Sequence, residues 1–315
     1  MKIGFVYSGQ GAQYIGMGQD LAETFPAARK VFDLASNALN MDLTELCFKE
    51  NDLLNETTYT QPAILTVSMA IDAVLAEAGI FPEAVGGLSL GEYTAFVKAN
   101  VLDFYDAVSL VKQRGKFMTE AVPSGEGAMS AVLGLERETV EQVCLETSEY
   151  GIVAPANYNM PGQIAIAGKK EAVEAAGEKM LEKGAKRVVP LKVSGPFHTS
   201  LLKPAADQLE QVLKSVQIND PTIPVVSNTT AEWFKNKEDV RKLMVQQIQS
   251  PVYWEDAVKT MIQSGVDTFI EVGPGKTLSA FIKKIDRSVT TLNVEHQKSL
   301  DKTLKKLNEK KLPIH

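Results

Sequence analysis

A five-residue segment, Gly87-Leu88-Ser89-Leu90-Gly91, lies where a short apolar run gives way to a helical pattern. It matches the G-x-S-x-G pattern, in which a serine occupies a sharp turn between a strand and a helix. Such a turn raises the serine hydroxyl above the sheet, near the positive end of the following helix. The alternative is a tight structural turn with an idle serine. The segment favours an α/β fold with a nucleophilic serine.

The first part of the chain alternates strand-like and helical patterns. Residues 3–7 predict a buried strand, followed by a glycine-rich turn and a helix to about Lys30. Residues 62–78 have apolar spacing typical of a buried helix, and residues 84–88 predict the strand that precedes Ser89.

The middle of the chain has a different order of elements. Residues 126–193 read as β-α-β-β-α-β, with a strand predicted over 187–193, and this order is typical of a ferredoxin-like unit. A C-terminal helix is predicted over 300–312. The predicted fold class is therefore α/β: an α/β-hydrolase-like core with a mostly parallel sheet over 1–125 and 194–315, plus an inserted ferredoxin-like subdomain over 126–193.

Composition excludes several classes of function. The 315 residues carry a net charge of −6, which argues against a nucleic-acid partner held by phosphate contacts. The sequence contains no run of about 18 apolar residues, so it predicts no membrane span. Two cysteines and three scattered histidines give neither a disulfide framework nor a zinc site of familiar spacing. The first residues lack a signal-peptide pattern, so we expect a cytoplasmic protein with no metal and no membrane contact.

A serine nucleophile needs a base, and the shortage of histidines limits the choice. His296 and His315 lie within the last 20 residues, whereas His198 lies in a turn of small residues between a strand and a helix. Loop positions at strand ends commonly carry site residues. A surface histidine without a role is the alternative. The order of Ser89 before His198 agrees with that of α/β-hydrolases.

A tetrahedral oxyanion requires at least two hydrogen-bond donors. The amide of Leu90 follows the serine directly, and the turn Ser8-Gly9-Gln10-Gly11 can bring a second amide close. A dinucleotide-binding motif that starts at Gly9 would need a glycine at position 14, which is Tyr14. A P-loop that ends at Thr277 would need a glycine at position 270, which is Ile270. Arg114 lies on a predicted helix, where an ordinary surface arginine is the default, although a guanidinium can also hold a carboxylate.

Several motifs together resemble one family, the malonyl-CoA:acyl carrier protein transacylases of bacterial fatty-acid synthesis. The resemblance covers nearly the whole chain. The motifs are Gly9-Gln10-Gly11-Ala12-Gln13, Thr60-Gln61-Pro62-Ala63, Gly87-Leu88-Ser89-Leu90-Gly91-Glu92-Tyr93, Arg114-Gly115-Lys116-Phe117-Met118, Pro155-Ala156-Asn157-Tyr158-Asn159, Gly195-Pro196-Phe197-His198 and Glu271-Val272-Gly273-Pro274-Gly275-Lys276.

The resemblance implies a malonyltransferase that needs no cofactor and has malonyl-CoA and acyl carrier protein as partners. It makes Ser89 the nucleophile, His198 the general base and acid, and Arg114 the partner of the malonyl carboxylate. It assigns the oxyanion hole to the amides of Gln10 and Leu90.

The resemblance also implies supporting roles. The main-chain carbonyl of Gln247 orients His198, and the ring of Phe197 leaves little room for a 2-methyl branch. Further positions match contacts to CoA or pantetheine: Asn157, Asn159, Lys186 and Arg187. Two residues depart from the family pattern, since Leu88 replaces the usual histidine and Ser8 the usual proline.

Three alternatives stay open. A serine thioesterase or esterase shares Ser89 and His198 but does not need Arg114. An acyltransferase acting in trans for a polyketide synthase has the same chemistry and a different carrier. A binding module with a dead site is the non-enzymatic alternative, and the joint presence of the three residues argues against it.

Overall fold

The computed structural model describes residues 1–193 and 195–311. Residue 194, where the predicted core resumes, lies outside the described residues, as do Leu312 and His315. In chain order the strands are β1 (Ile3–Tyr7), β2 (Ala84–Gly87), β3 (Gly127–Leu133), β4 (Val153–Met160), β5 (Gln163–Lys169), β6 (Arg187–Pro190), β7 (Thr268–Val272) and β8 (Thr290–Val294).

The helices surround these strands. In chain order they are α1 (Gln19–Thr24), α2 (Pro26–Leu39), α3 (Leu43–Phe48), α4 (Thr57–Glu77), α5 (Leu90–Lys98), α6 (Phe104–Glu120), α7 (Arg137–Glu146), α8 (Lys170–Glu182), α9 (Lys203–Leu213), α10 (Lys237–Gln247), α11 (Trp254–Gln263), α12 (Thr277–Ile285) and α13 (Gln297–Lys311).

One sheet is entirely parallel and has the order β2-β1-β7-β8. Val225 forms an isolated parallel bridge to Val85, which extends this sheet beyond β2. Strand β1 is central and fully buried, as its unbroken apolar sequence predicts for a sheet covered on both faces. The carboxyl ends of β1 and β2 lie side by side, so the loops that follow Tyr7 and Gly87 are neighbours.

The first predicted helix is wrong in its extent. Two helices, α1 and α2, replace it, and they meet at Phe25 before Pro26. Proline lacks an amide hydrogen, so it is well accommodated as the first residue of a new helix. Helix α4 also begins at Thr57, earlier than the predicted start at Pro62, which lies inside the helix.

Helix α4 is long and apolar enough to cross a membrane by length and composition alone. However, 78% of its most apolar window is buried inside the protein. A helix that is apolar on all sides is expected in the centre of a large core. In this structure α4 is such a core helix, packed against α2 and α6.

The second sheet is antiparallel and has the order β4-β5-β3-β6. Helices α7 and α8 pack on it with a separate apolar cluster that includes Val140, Ile166 and Met180. Strand β6 ends at Pro190, before the predicted end at Val193. The chain is thus a mixed α/β protein with one parallel and one antiparallel sheet.

The two sheets are joined beside the carboxyl end of the parallel sheet. The amide of Tyr158 in β4 donates to the carbonyl of Val252 at 2.9 Å, and the amide of Val252 donates to the carbonyl of Ala156 at 2.8 Å. The rings of Tyr158 and Tyr253 stack with their centroids 5.1 Å apart. This junction places the side chains that flank Tyr158 on β4 close to the loop after Gly87.

Candidate active site

Ser89 lies in a strained turn between β2 and α5. Its φ is 52° and its ψ is −100°, a conformation that side-chain-bearing residues rarely adopt. The turn requires small neighbours: a Cβ on Gly87 would lie 2.1 Å from the carbonyl carbon of Gly91, and one on Gly91 would lie 2.1 Å from the carbonyl oxygen of Tyr7. The G-x-S-x-G spacing therefore has a steric cause, and it fixes the serine at the start of α5.

His198 approaches Ser89 from the loop between β6 and α9. Its Nε2 lies 2.8 Å from Ser89 Oγ, and its Nδ1 lies 2.9 Å from the carbonyl oxygen of Gln247. A carbonyl oxygen can only accept, so Nδ1 carries the hydrogen and donates it. Nε2 then presents its lone pair to the hydroxyl of Ser89. This arrangement suits a general base.

Two effects keep the imidazole of His198 neutral. The side chain is buried, and burial lowers its pKa to about 4, with the nearby positive charge of Arg114 acting in the same direction. The hydrogen bond to the Gln247 carbonyl opposes this shift only in part. At neutral pH the base is therefore unprotonated and able to accept a proton from Ser89.

Arg114 is not a surface arginine, because its side chain is only 1% exposed. Nη1 donates to Gln61 Oε1 at 2.8 Å, and Nη2 donates to Gln247 Oε1 at 2.9 Å and to Ser89 Oγ at 3.2 Å. The guanidinium carbon also lies 5.0 Å from the centroid of the Tyr93 ring. A fixed cation thus lies directly beside the hydroxyl of Ser89.

A buried polar network lies beneath the strained turn over residues 87–91, which we call the elbow. The carboxylate of Glu92 accepts from the amide of Asn228 at 2.6 Å and from Gln247 Nε2 at 2.7 Å. Asn228 Oδ1 accepts from the amide of Ser89 at 2.7 Å, and Asn228 Nδ2 donates to the carbonyl of Gly87 at 2.7 Å. Burial raises the pKa of Glu92, whereas these donors and the charge of Arg114 lower it; both oxygens accept N–H hydrogen bonds, which is the arrangement of the ionised carboxylate.

One cavity of about 280 Å³ lies between the two sheets and is lined by Ser89, His198, Arg114 and Gln61, among others. Its wall is shared by the loops after β1 and β2 and by strands β3, β4 and β5 of the antiparallel sheet. Most of the wall is apolar, with a few polar groups that converge on Ser89, which is typical of a small-molecule site. Within the described ranges no group of three or more His, Cys, Asp or Glu side chains could hold a metal ion.

The remaining site residues from the sequence fall into two sets. Gln10 and Leu90 line the cavity, and neither backbone amide donates to another group in the part of the chain that the structure describes. The cavity also includes four other residues that the sequence singled out: Leu88, Asn157, Asn159 and Phe197. By contrast, Lys186 and Arg187 are exposed and do not line it.

Asn159 and Ser8 differ in how their side-chain oxygens are hydrogen-bonded. Asn159 is buried, and its Oδ1 has no hydrogen-bond partner among the described residues, which is unusual for a buried amide oxygen. The hydroxyl of Ser8 donates to the carbonyl of Pro274 at 2.9 Å, so the loop after β1 is bound to the loop after β7. A proline at this position could not form that hydrogen bond.

Comparison with known proteins decides the family. The family described as "Acyl transferase domain" matches residues 4–309, which is almost the whole chain. The chain belongs to the acyl transferase family. Its G-x-S-x-G elbow and its Ser89–His198 contact therefore lie in a framework that this family shares.

Relatives within the acyl transferase family are close in sequence and in structure. The malonyl CoA-acyl carrier protein transacylase of Bacillus subtilis (strain 168) is 46% identical over 310 residues, covering 98% of each chain. The crystal structure of the Clostridium perfringens enzyme of that name has a TM-score of 0.96 and 48% identity, covering 99% of this chain and 98% of the other. A malonyl-transacylase in complex with a type II PKS acyl-carrier protein has a TM-score of 0.95 and 42% identity, covering 97% and 100%.

The sequence did not assign roles to four residues that the structure brings to the site. Gln61 and Tyr93 contact the guanidinium of Arg114, and Glu92 binds Gln247. These three lie inside the motifs that carry the family resemblance, so their presence there is the signal that could have found them. Asn228 lies in no such motif, and only the fold brings it to Ser89.

Proposed function

We propose that this protein transfers a malonyl group from malonyl-CoA to the phosphopantetheine thiol of acyl carrier protein, through a malonyl ester on Ser89, in fatty-acid synthesis. Relatives named malonyl CoA-acyl carrier protein transacylase support the activity. The observation that carries the proposal is the buried guanidinium of Arg114, 3.2 Å from Ser89 Oγ. The guanidinium carries a permanent positive charge within reach of the free carboxylate of a malonyl ester on Ser89.

In the first half-reaction, Ser89 Oγ attacks the thioester carbonyl and His198 Nε2 takes the hydroxyl proton. The negative charge that forms on the carbonyl oxygen is stabilised by the amides of Gln10 and Leu90. The carbon–sulfur bond then breaks, CoA leaves as its thiol with the proton from His198, and malonyl-Ser89 remains. This order requires His198 to begin neutral, in agreement with its lowered pKa.

The second half-reaction runs the same steps with the carrier thiol as nucleophile. Nε2 takes the thiol proton, sulfur attacks the malonyl ester, and the serine oxygen leaves with that proton. One thioester is exchanged for another, so transfer is close to thermoneutral and reversible, and the kinetics are ping-pong. The mainly apolar walls of the cavity limit water, which would otherwise hydrolyse the ester.

Selectivity for malonyl is proposed to come from Arg114 and Phe197. An acetyl group would leave the guanidinium without a carboxylate in a desolvated site. The ring of Phe197 is buried at the cavity wall beside His198, where it would contact a 2-methyl branch. A neutral acyl group therefore loses a charged hydrogen bond, and a branched one meets a rigid ring.

We also propose the finer architecture and setting. The β-α-β-β-α-β order and the strand order β4-β5-β3-β6 support a ferredoxin-like subdomain over 126–193. The parallel sheet and the serine elbow support an α/β-hydrolase-like core over 1–125 and 194–315. The proposed reaction needs no cofactor or metal, and the proposed location is the cytoplasm.

Carrier recognition is proposed to use exposed basic residues. Acyl carrier proteins are acidic and this chain is itself net negative, so local positive charge must attract the carrier. Lys186 and Arg187 are exposed at the start of β6, on the antiparallel sheet that forms part of the cavity wall. Asn157 and Asn159 line the cavity itself and are the proposed contacts for the pantetheine amides.

Intact-mass spectrometry after mixing with malonyl-CoA tests the reaction class. Wild-type protein is expected to gain one malonyl group, and Ser89→Ala is expected to gain none. Addition of holo acyl carrier protein should remove the adduct faster than water does. A malonyl adduct on the Ser89→Ala variant would refute the assignment, and discharge to water alone would indicate a thioesterase.

A polyketide carrier is the second candidate acceptor. One relative with a TM-score of 0.95 is a malonyl-transacylase in complex with a type II PKS acyl-carrier protein. The chemistry at Ser89 is the same with either carrier. Measuring kcat/KM with a fatty-acid carrier and with a polyketide carrier under identical salt separates the two, and the preferred acceptor is the one with the higher value.

A further inference from the structure

We propose that Glu92 is a positioning residue for malonyl transfer, which fixes Arg114 through Gln247 and the backbone of Ser89 through Asn228. The inference rests on the proposed function. Glu92 does not face the substrate: it lies in the first turn of α5, on the buried side of the elbow, and is 1% exposed. Its effect on the reaction is therefore transmitted through its two hydrogen-bonded neighbours.

The first connection runs to the guanidinium. Glu92 Oε2 accepts from Gln247 Nε2 at 2.7 Å. This hydrogen bond orients the side-chain amide of Gln247 with its nitrogen toward Glu92. The other end, Oε1, then points to Arg114 Nη2 at 2.9 Å. The carbonyl of Ser89 also accepts from Gln247 Nε2, at 3.0 Å, so Glu92 is the shorter and the charged contact at this end of the amide. Loss of that contact would leave the Gln247 oxygen that aims Arg114 less firmly fixed. Glu92 thus orients the cation that selects malonyl.

The second connection runs to the nucleophile. Glu92 Oε1 accepts from the amide of Asn228 at 2.6 Å. The side chain of Asn228 clamps the elbow from both sides, because Oδ1 accepts from the amide of Ser89 and Nδ2 donates to the carbonyl of Gly87. Ser89 has a strained φ of 52°, and such a conformation persists only where surrounding contacts determine it.

The chemistry of the site explains why a carboxylate is required. Two donors, a backbone amide and a side-chain amide, point at Glu92 from different directions. Only a carboxylate presents two acceptor oxygens, whereas glutamine presents one acceptor and one donor. Burying a carboxylate is costly, and an apolar side chain would serve packing alone at lower cost. A carboxylate buried here with both oxygens hydrogen-bonded therefore points to positioning.

The test compares Glu92→Gln, Glu92→Ala and a matched control. Asp72→Asn is the control because Asp72 is also a buried carboxylate, 4% exposed, with hydrogen bonds to Tyr7 and Lys98, and does not line the cavity. For each protein, the end-point amplitude of acyl-enzyme formation with malonyl-CoA and with acetyl-CoA counts competent sites. The rate per competent site is measured separately by rapid quench and mass spectrometry.

The two variants are expected to differ in an informative way. Glu92→Gln keeps an acceptor for Asn228 but turns a donor toward Gln247, so the malonyl-to-acetyl rate ratio should fall roughly tenfold while the acetyl rate is maintained. Glu92→Ala loses both acceptors, so both rates should fall and the ratio should fall with them. Asp72→Asn should lower the melting temperature and leave both rates per site and their ratio unchanged.

An unchanged ratio and unchanged rates per site in Glu92→Gln would overturn the proposal, whatever happens to amplitude or melting temperature, since those report folding only. If Glu92→Ala does not fold, the Gln variant still decides. Failure of the proposed function is a separate outcome: in that case the wild-type protein itself forms no malonyl adduct at Ser89.

Discussion

Replacing Arg114 with methionine isolates the role of its charge. Methionine keeps an unbranched stem of similar length, so it can fill the space among Gln61, Tyr93 and Gln247 with little change in volume. The guanidinium is lost, together with its 3.2 Å hydrogen bond to Ser89 Oγ. Arg114→Met therefore removes the feature that distinguishes a malonyl site from a general serine acyltransferase.

The magnitude follows from the contacts. A hydrogen bond to a charged group contributes about 1.5–3 kcal/mol, so losing the carboxylate contact should slow malonyl transfer roughly tenfold to a hundredfold. Acetyl has no carboxylate and should lose little. Two buried carbonyl oxygens, on Gln61 and Gln247, also lose their donor, so some loss of stability is expected.

The same substitution should move the pH dependence of acylation. Burial, together with the charge of Arg114, lowers the pKa of His198 to about 4. Without that charge the pKa rises but remains below the ordinary value, because burial persists. A base works in its neutral form, so acylation should decline at a higher pH in Arg114→Met than in the wild type.

The assay is single-turnover acyl-enzyme formation with malonyl-CoA and acetyl-CoA, measured across pH and scaled to the number of competent sites. Arg114→Lys is the comparison, since it keeps a charge but not the planar fork, and should retain part of the preference. The reasoning is refuted if Arg114→Met keeps the wild-type malonyl-to-acetyl ratio. An unchanged pH midpoint would remove the electrostatic link to His198.

Three further outcomes are expected. In the wild type the acylation rate should hold from about pH 8 to about pH 5 and fall with a midpoint near the His198 pKa of about 4, and a midpoint at the ordinary histidine value of about 6.5 would contradict the burial effect. Gly91→Ala should lower the melting temperature, because its Cβ would lie 2.1 Å from the Tyr7 carbonyl oxygen and overpacking of this kind costs about 1–3 kcal/mol; a variant as stable as the wild type would mean that β1 and α5 can separate. The KM for acyl carrier protein should rise with added salt, and Lys186→Glu with Arg187→Glu should raise it; a salt-independent KM would exclude electrostatic recognition.

The elements that the sequence predicted well have strong local signals. Strand β1 is an unbroken apolar run, and Ser89 lies between two glycines whose Cβ-free backbone the turn requires. The predicted first helix was wrong because its apolar spacing continues past Pro26, whereas the backbone restarts there. Helical periodicity therefore locates a helix better than it locates the ends.

The site was predictable to the extent that its residues carry their own chemistry. Serine and histidine in suitable turns were found from the residues alone, and the family resemblance supplied Arg114, whose burial no local pattern shows. Asn228 could not be found, because its contact with Ser89 spans 139 residues and depends on how two loops meet. Long-range hydrogen bonds between an uncharged side chain and a distant backbone amide leave no periodicity in a sequence.

No carboxylate among the described residues forms a hydrogen bond with His198, which is consistent with the chemistry proposed. A carboxylate would stabilise the imidazolium and raise the pKa, whereas the Gln247 carbonyl fixes the tautomer without adding charge, and Arg114 opposes protonation. The result is a weak base and a correspondingly strong acid. Both leaving groups of the proposed reaction receive their proton from His198. A thiol, with a pKa near 8.5, departs with little assistance. The serine oxygen is the poorer leaving group, so its departure is the step that gains from a strongly acidic imidazolium.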